Sequence, residues 1–362
     1  MESNTNLIEK LPDVSLHCIS TPDSEPMLIR FLSGLEESVS VTCHPCALPG
    51  ERGVGGGEAL WRYKTQLMIE ASTPVARERQ NNASAGEKEI FVIFSDIDIA
   101  LYRPIRQILP DLMAECDLCF QREWLWENRQ ANIGFIVFRR TAAVKAFWRE
   151  VLQRIEAEGL WDQEVVNHLI RDDAFLQRIG LRTGLLPPSF WAYSHGALPS
   201  APCVLHHANC AGSFNRKWAQ LSTYRPLFEP VSTVTRRAFE TISRQFFDHI
   251  WLCGKLGRRT PLGSLAFSAD GRLSTQFGKF DIERATVTEQ HIVLHRAGEK
   301  LFCVLEEFYV DRHRGRMLCV GRLCPMDYIA APRRQGYFWL SADLDAEGSA
   351  AASSKLEISH KI

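Results

Sequence analysis

Residues 91–104 read Phe-Val-Ile-Phe-Ser-Asp-Ile-Asp-Ile-Ala-Leu-Tyr-Arg-Pro, an apolar run that leads into two carboxylates, Asp96 and Asp98. The apolar run predicts a buried strand. An ionised carboxylate in an apolar setting is costly unless it is paired or binds a cation. Because side chains two residues apart in a strand share a face, both aspartates are expected to point the same way, with Ile97 and Ile99 opposite. A divalent cation relieves the repulsion between two such carboxylates, so the stretch indicates a cation site at a strand end.

Segments on both sides of this strand alternate in the order that builds an α/β domain. The further predicted strands cover residues 14–20, 38–45 and 131–140. The predicted helices cover residues 26–35, 58–71 and 141–158, the last with Thr141 as N-cap. This order predicts a mainly parallel sheet with crossover helices. Ligands of such sheets gather outside the carboxyl ends of the strands, which is where Asp96 and Asp98 lie.

Beyond about residue 235 the pattern changes: a predicted helix over residues 236–251 is followed by short alternating runs separated by turns at Gly271, Gly298 and Gly315. This spacing predicts about six antiparallel strands in a small sandwich or partial barrel. We therefore expect four segments along the chain. These are a flexible N-terminus (1–13), an α/β domain (14–230), a smaller β-rich domain (231–345) and a flexible tail (346–362).

Composition excludes several classes of protein. The chain has 42 Lys and Arg against 43 Asp and Glu, so it lacks the basic surplus expected of a nucleic-acid partner. The sequence contains no run of about 18 uncharged apolar residues, so no transmembrane segment is predicted. The acidic, polar N-terminus does not resemble a signal peptide. A cytoplasmic location is therefore expected.

The 11 cysteines are expected to be reduced and mostly buried in that compartment. Two closely spaced pairs leave one alternative open, which is a four-thiolate zinc site made of Cys43, Cys46, Cys116 and Cys119.

The strand, its Ser-Asp-Ile-Asp end (95–98) and the following Leu-Tyr-Arg-Pro-Ile resemble the metal-binding motif of type A glycosyltransferases. More specifically, they are similar to the nucleotide-diphospho-sugar transferase family. Three later stretches follow in the order that this family shows, residues 131–141, 161–170 and 204–218. The resemblance covers about residues 14–225 and is strongest from residue 90 onward.

The resemblance implies a GT-A-like (Rossmann-like) mixed sheet with flanking helices, in a nucleotide-sugar-binding glycosyltransferase domain over residues 14–230. The implied reaction transfers a sugar from a nucleoside diphosphate sugar, UDP being the expected nucleotide, to an acceptor hydroxyl with retention of configuration. The acceptor, whether glycan, lipid or protein, is left open.

Asp96, Asp98 and His207 are the metal ligands that the resemblance implies, and the expected ion is Mn²⁺ or Mg²⁺. A neutral imidazole is a chemically suitable further ligand beside two carboxylates. Because the histidines are adjacent, His206 is the alternative to His207. Lys217 is expected to meet the diphosphate as a point charge.

Further site residues also follow from the resemblance. Asp162 and Gln163, at the first turn of a predicted helix, are the expected catalytic residues near the anomeric carbon, although an aspartate there also serves as a helix cap. Donor contacts are expected from Asn132, Gly134, Asn209, Gly212 and Lys64. A glycine at 134 lets another group approach the backbone, whereas the alternative for Lys64 is a solvated helical lysine. Residues 20–23 and 43–46 are expected near the nucleoside.

Two alternatives compete with sugar transfer. One is a phosphatase resembling the haloacid dehalogenases, in which the first aspartate of a D-x-D strand attacks phosphorus. That motif usually opens its fold, however, and here about 90 residues precede it. The other is a non-catalytic carbohydrate-binding protein that uses C-terminal aromatic residues such as Phe277, for which packing in a β core is the competing explanation.

Overall fold

The structure is a computed structural model that describes part of the chain. The described residues are 11–46, 57–74, 89–127, 129–199, 201–229, 233–258, 260–278, 282–296, 298, 301–323 and 337–344. The chain divides into two compact units, Met1–Glu229 and Pro230–Ile362. The tail expected at 346–362 and most of the N-terminus expected at 1–13 lie outside the described residues, and the four predicted segment boundaries stay predictions.

The first unit alternates strands and helices as the sequence predicted. Its strands are β1 (Asp13–Ser20), β2 (Ser40–Pro45), β3 (Ile90–Ser95), β4 (Ile99–Leu101), β5 (Leu118–Arg122), β6 (Ala131–Arg139), β7 (Thr183–Leu185), β8 (Phe190–Ala192) and β9 (Leu205–His207). Its α-helices are α1 (Glu25–Ser33), α2 (Gly57–Ala71), α3 (Leu109–Leu112), α4 (Ala142–Glu158), α5 (Asp162–Leu169), α6 (Asp173–Ile179) and α7 (Phe214–Phe228).

Six of these strands form the main sheet, in the order β2-β1-β3-β6-β5-β7. The pairs β1/β2, β1/β3 and β5/β7 are parallel, whereas β6 runs antiparallel to both β3 and β5. The segment order predicted a mainly parallel sheet, and this prediction is corrected to a mixed sheet, because β6 runs antiparallel to its two neighbours. The carboxyl ends of β1, β2, β3 and β5 share one edge of this sheet.

Burial explains why these segments form a layered core. All but the last residue of β6 is buried, as expected for a strand with helices on both faces. Helix α4 begins where the Thr141 hydroxyl accepts a hydrogen bond from the Val144 amide (3.1 Å) and ends at Gly159, whose φ is +65°. Phe147 and Trp148 of this helix are fully buried against the sheet.

A second, three-stranded sheet of order β4-β9-β8 lies in the same unit. Strand β9 is antiparallel to β4 and places His207 opposite Ile99, directly after the two aspartates. This long-range pairing positions the functional site.

The second unit contains helix α8 (Thr233–Gln245) and an antiparallel sheet. Its strands are β10 (Ile250–Lys255), β11 (Gly263–Phe267), β12 (Leu273–Phe277), β13 (Arg284–Val287), β14 (Ile292–His295), β15 (Leu301–Asp311), β16 (Arg316–Leu323) and β17 (Tyr337–Asp343). Their order is β12-β11-β10-β17-β16-β15-β14-β13.

The sequence estimate of six strands was too low, since eight are seen within the described residues. One reason is that the apolar run around Trp251 was assigned to the preceding helix. Helix α8 instead ends at Gln245, and Trp251 is a fully buried residue of β10 whose indole N–H donates to the Phe246 carbonyl (2.8 Å).

The predicted fold class is confirmed: a mixed α/β sheet with flanking helices, and a separate antiparallel β unit. Among the described residues, no helix is long and apolar enough to cross a membrane.

Candidate functional site

Asp96, Asp98 and His207 converge at the edge where β3 ends. Their ligand atoms all lie within 4.8 Å of one another. The two aspartates follow β3 in a turn and do not lie within the strand. The turn, and not the alternation of side chains along a strand, therefore brings them close together. The Asp96 amide donates to the Gly134 carbonyl (2.7 Å), and the Ala208 amide donates to the Asp98 carbonyl (2.9 Å). Main-chain hydrogen bonds therefore tie the turn to β6 on one side and to the end of β9 on the other.

The imidazole of His207 is held in one tautomer by Gln121. The Gln121 side-chain nitrogen donates to the Phe190 carbonyl (3.0 Å), so its oxygen faces His207 Nδ1 at 2.8 Å. Nδ1 must then carry a proton, and Nε2 is the ring nitrogen that faces Asp98 Oδ1, 3.5 Å away, and that a cation could bind in the neutral ring. An outer hydrogen bond of this kind is what orients a ligating histidine.

The glycine at 134 is required by that imidazole. A Cβ at this position would overlap the His207 ring and would lie 2.9 Å from its Nδ1. The close approach predicted for Gly134 is therefore made by His207, and a direct donor contact at this glycine stays a prediction.

Asp98 and Lys217 form the central ion pair, with Lys217 Nζ 2.5 Å from Asp98 Oδ2. Burial alone would raise the pKa of Asp98, but Lys217 and His207 outweigh it and hold the pKa below the usual range. Burial likewise would lower the pKa of Lys217, and the Asp98 carboxylate reverses this and raises it. Both groups are thus charged at neutral pH.

Asp96 pairs with Lys64 of α2. The Lys64 Nζ lies 3.0 Å from Asp96 Oδ1 and donates to the Ile133 carbonyl at 3.0 Å. Lys64 is buried, so the alternative of a solvated helical lysine is wrong.

His206 points into an aromatic cluster instead of toward the aspartates. Its ring centroid lies 4.3 Å from that of Trp191 and 5.5 Å from that of Tyr224. Burial, assisted by His207, lowers the pKa of His206 to about 3. The geometry therefore favours His207 over the alternative His206 as the ligand.

Asp162 is the first residue of α5 and is buried. One of its carboxylate oxygens accepts from the Gln163 amide at 2.9 Å. Its pKa is raised to about 6, mainly by burial and in part by Asp96, while Lys64 and the hydrogen bond from the Gln163 amide act in the opposite direction. A carboxyl group with such a pKa is suited to acid–base or nucleophilic chemistry near neutral pH.

A third carboxylate, Glu123, accepts from the side chains of three predicted site residues. Asn132 Nδ2 lies 2.5 Å and Gln163 Nε2 3.2 Å from its Oε2, and Asn209 Nδ2 lies 3.5 Å from its Oε1. Glu123 follows β5 and is buried. The amides that were predicted to contact a donor are thus brought together around an acid.

Gly212 lies exposed in the loop before α7, away from these hydrogen bonds. The thiolate alternative finds no support, since no group of three or more ligand-type side chains among the described residues includes a cysteine. None of the ten cysteines within the described residues is disulfide-bonded.

Gln121 and Glu123 were missed at the sequence level. Both lie at the carboxyl end of β5, which runs in the same direction as β3, and ligands gather at that edge. The signal that would have found them is their own polar character directly after the apolar run of residues 118–120.

Residues 86–221 match the family model described as nucleotide-diphospho-sugar transferase. This match agrees with the family resemblance seen in the sequence and covers 136 of the 362 residues. The expected enzyme class, a glycosyltransferase, is consistent with the match over this segment. The transferase segment, residues 86–221, contains Asp96, Asp98, His207 and Lys217. No curated protein matches the chain.

Solved glycosyltransferase structures resemble the chain only partly. GlyE of Streptococcus pneumoniae TIGR4 is 12% identical, with 65% of this chain and 64% of that chain aligned and a TM-score of 0.38. Mouse xyloside xylosyltransferase 1 in its apo form is 11% identical over 55% of this chain and 98% of that one, with a TM-score of 0.32. The galactosyltransferase LgtC, in complex with donor and acceptor sugar analogs, is 13% identical over 62% and 99%, also with a TM-score of 0.32. The chain spans just under two thirds of the GlyE chain, and our assignment of the transferase segment rests on the family match.

Proposed function

We propose that the first unit transfers a glycosyl group from a nucleoside diphosphate sugar, with UDP as the expected nucleotide, to an acceptor hydroxyl in a metal-dependent reaction that retains anomeric configuration. The observation that carries this proposal is the convergence of Asp96, Asp98 and His207 within the transferase segment. A cytoplasmic location stays an expectation from the sequence.

The three side chains suit Mn²⁺ or Mg²⁺. Carboxylate oxygens and a neutral imidazole nitrogen are ligands that these ions accept. Two ligand atoms bound at about 2.1 Å to one ion are at most about 4.2 Å apart, close to the 4.8 Å within which the three atoms lie. When bound, such an ion neutralises charge that develops on the leaving diphosphate.

The remaining residues divide into a phosphate side and a sugar side. Lys217, whose ammonium pairs with Asp98, would meet a phosphate oxygen as a point charge. Asp162 and Gln163 are placed with the donor sugar, where Asp162 acts either as the nucleophile of a covalent intermediate or as a charge that supports attack from the same face. In the first case, the Asp162 carboxylate would bond to the anomeric carbon as the diphosphate leaves; the acceptor hydroxyl would then displace Asp162, with its proton passing to the departed diphosphate.

A thermal-shift screen of nucleoside diphosphate sugars, with Mn²⁺ or with EDTA, tests donor binding. A ligand that binds only the folded protein raises its melting temperature, so at least one donor should raise it in Mn²⁺ and fail to do so in EDTA. Asp98→Asn should abolish this shift, whereas the control Asp111→Asn, at an exposed acid of α3, should keep it. No donor response in wild type would refute the proposal.

Turnover is tested by release of the nucleoside diphosphate, with p-nitrophenyl phosphate as the comparison substrate. Donor turnover without phosphatase activity supports transfer, and the reverse result supports the phosphatase alternative. Asp162→Asn should lose turnover while it keeps the donor-induced shift. Unchanged turnover in Asp162→Asn would remove Asp162 from the mechanism.

A further inference from the structure

Two cysteines face each other across the first two strands of the main sheet. In the parallel pair β1/β2, Cys18 lies in register with Cys43. Register partners on neighbouring strands point to the same face of a sheet, so their side chains are neighbours. The Cys18 thiol donates to the Cys43 sulfur, and the two Sγ atoms are 3.7 Å apart. Nothing in the proposed sugar transfer uses this contact.

A second contact joins the same two strands on the opposite face. His17 Nδ1 lies 3.0 Å from His44 Nε2, which is a hydrogen-bonding distance, and the two rings are stacked with 14° between their planes. Because successive side chains of a strand point to opposite faces, this pair lies on the side away from the sulfurs. The imidazole contact therefore holds the strands together and leaves the thiols facing each other.

The two thiols differ in their access to solvent. Cys18 is fully buried, whereas Cys43 is partly exposed in β2, which lies at the edge of the six-stranded sheet. An oxidant dissolved in water therefore reaches Cys43 first, and Cys18 is in position to attack the oxidised sulfur. An accessible thiol with a second thiol beside it is the arrangement found in cysteines that oxidise reversibly.

We propose that Cys18 and Cys43 form a disulfide when hydrogen peroxide oxidises the protein, and that this bond weakens binding of the donor nucleotide at the adjacent strand ends. The Cys43 sulfur attacks the O–O bond of the peroxide, becomes a sulfenic acid and releases one water. The Cys18 sulfur then attacks the Cys43 sulfur. The S–S bond forms as the hydroxyl leaves with the Cys18 proton as a second water. The two thiols thus lose two electrons and two protons to one peroxide.

The spacing of the strands determines what this bond does. Adjacent strands lie about 4.8 Å apart, within the roughly 4.4–6.8 Å between Cα atoms that a disulfide accepts. The sulfurs must approach from 3.7 Å to about 2.05 Å, so β2 has to shift toward β1. β2 can shift because, among the strands that the structure describes, β1 is its only partner in the sheet. A disulfide that displaces the backbone is strained and easily reduced, which suits a reversible switch.

The shift of β2 falls beside the expected nucleoside contacts. Cys43 opens the segment 43–46, and the Cys46 amide donates to the carbonyl of Ser20 (2.8 Å), the first residue of the segment 20–23. Both segments were expected near the nucleoside, so the effect on donor binding rests on the proposed function. Oxidation should therefore reduce the donor-induced rise in melting temperature.

The test treats the full chain with hydrogen peroxide and maps its cross-links by mass spectrometry of unreduced peptides. Wild type should yield a peptide pair joined through Cys18 and Cys43, and dithiothreitol should separate it. Cys43→Ser should lose this cross-link. The control Cys116→Ser removes a cysteine that is also partly exposed, and it should keep the cross-link.

Donor binding is then measured before and after oxidation. Oxidised wild type should lose roughly half or more of the donor-induced melting shift, and dithiothreitol should restore it. In Cys43→Ser the shift, whatever its size, should be the same before and after peroxide treatment, because no disulfide can form.

Three results would overturn the proposal: peroxide produces no cross-link between Cys18 and Cys43, Cys43 is joined to Cys46 instead, or the cross-link forms and the donor-induced shift does not change. Failure of the proposed function looks different. Reduced wild type would then show no donor-induced shift at all, while peptide mapping would still decide whether the disulfide forms.

Discussion

Replacing Asp162 with asparagine should stabilise the protein at neutral pH. Burial raises the pKa of this carboxyl from 3.8 to about 6, so ionisation is less favourable in the folded state than in the unfolded chain. The difference of about 2.2 pKa units corresponds to about 3 kcal/mol. Asparagine resembles the protonated acid and keeps an oxygen that can accept from the Gln163 amide (2.9 Å).

The sign of the effect fixes its pH dependence. A raised folded-state pKa gives stability that is complete below pH 3.8 and is lost as the pH rises through about 6. Relative to wild type, Asp162→Asn should therefore be nearly neutral below pH 4, gain roughly 1.4 kcal/mol per pH unit between about 4 and 6, and level off near 3 kcal/mol above pH 6.

Urea unfolding of both proteins in EDTA, from pH 3.5 to pH 8, measures this difference directly. Asp173→Asn is the matched control, since its side chain is 63% exposed and pairs with Arg129 at 3.0 Å. Such a surface pair contributes less than about 1 kcal/mol. A stability difference for Asp162→Asn that does not vary with pH, or a loss of stability at pH 7.5, would refute the assignment of a costly buried charge.

Three further predictions concern the metal side of the site. Gly134→Ala should lower the free energy of unfolding by about 1–3 kcal/mol in urea titrations, because the added Cβ overlaps the His207 ring; unchanged stability would reject the tight contact. Gln121→Leu should weaken Mn²⁺ affinity about 10–100-fold by calorimetry, since His207 Nδ1 loses its acceptor, and an unchanged affinity would show that the tautomer is set elsewhere. Lys217→Met should lower the free energy of unfolding in EDTA by roughly 1.5–3 kcal/mol, because it removes the charged partner of Asp98. Mn²⁺ should reduce this loss of stability, since the cation replaces the missing charge. A loss of stability that is the same with and without Mn²⁺ would contradict cation binding at Asp98.

Residue types and their order were enough to predict the metal-side cluster. A buried strand ending in two acids is energetically unusual, and the resemblance supplied His207 and Lys217 as partners. Choosing between His206 and His207 required the register of β9 against β4, which places His207 opposite Ile99. Such a pairing joins segments about 100 residues apart and is not encoded in local periodicity.

The sugar side was harder to predict because the polar residues after β5 form no motif that singles out Glu123 as its central acid. Glu123 follows a short strand in a Gln-Arg-Glu sequence, and only the folded chain shows that side chains from β6, α5 and the loop after β9 donate to it. The direction of β6 was missed for a similar reason, since an apolar run does not state which way a strand crosses the sheet.

The charges of the site are unevenly distributed. Four acids, Asp96, Asp98, Asp162 and Glu123, lie in the site with two lysines, Lys64 and Lys217, so its carboxyl groups outnumber its ammonium groups by two. Each aspartate of the D-x-D pair has one lysine within 3.0 Å.

Among the described residues, Asp162 and Glu123 have no lysine or arginine at ion-pair distance, and the hydrogen bonds to them come from neutral amides. Negative charge is thus balanced where a diphosphate would leave and unbalanced where the sugar would lie. A glycosyl centre gains positive charge as its leaving group departs, and preorganised charges facing a developing charge are a large source of catalysis. In the proposed transfer the unpaired acids would stabilise the transition state, whereas paired acids on both sides would favour binding of the anionic donor alone.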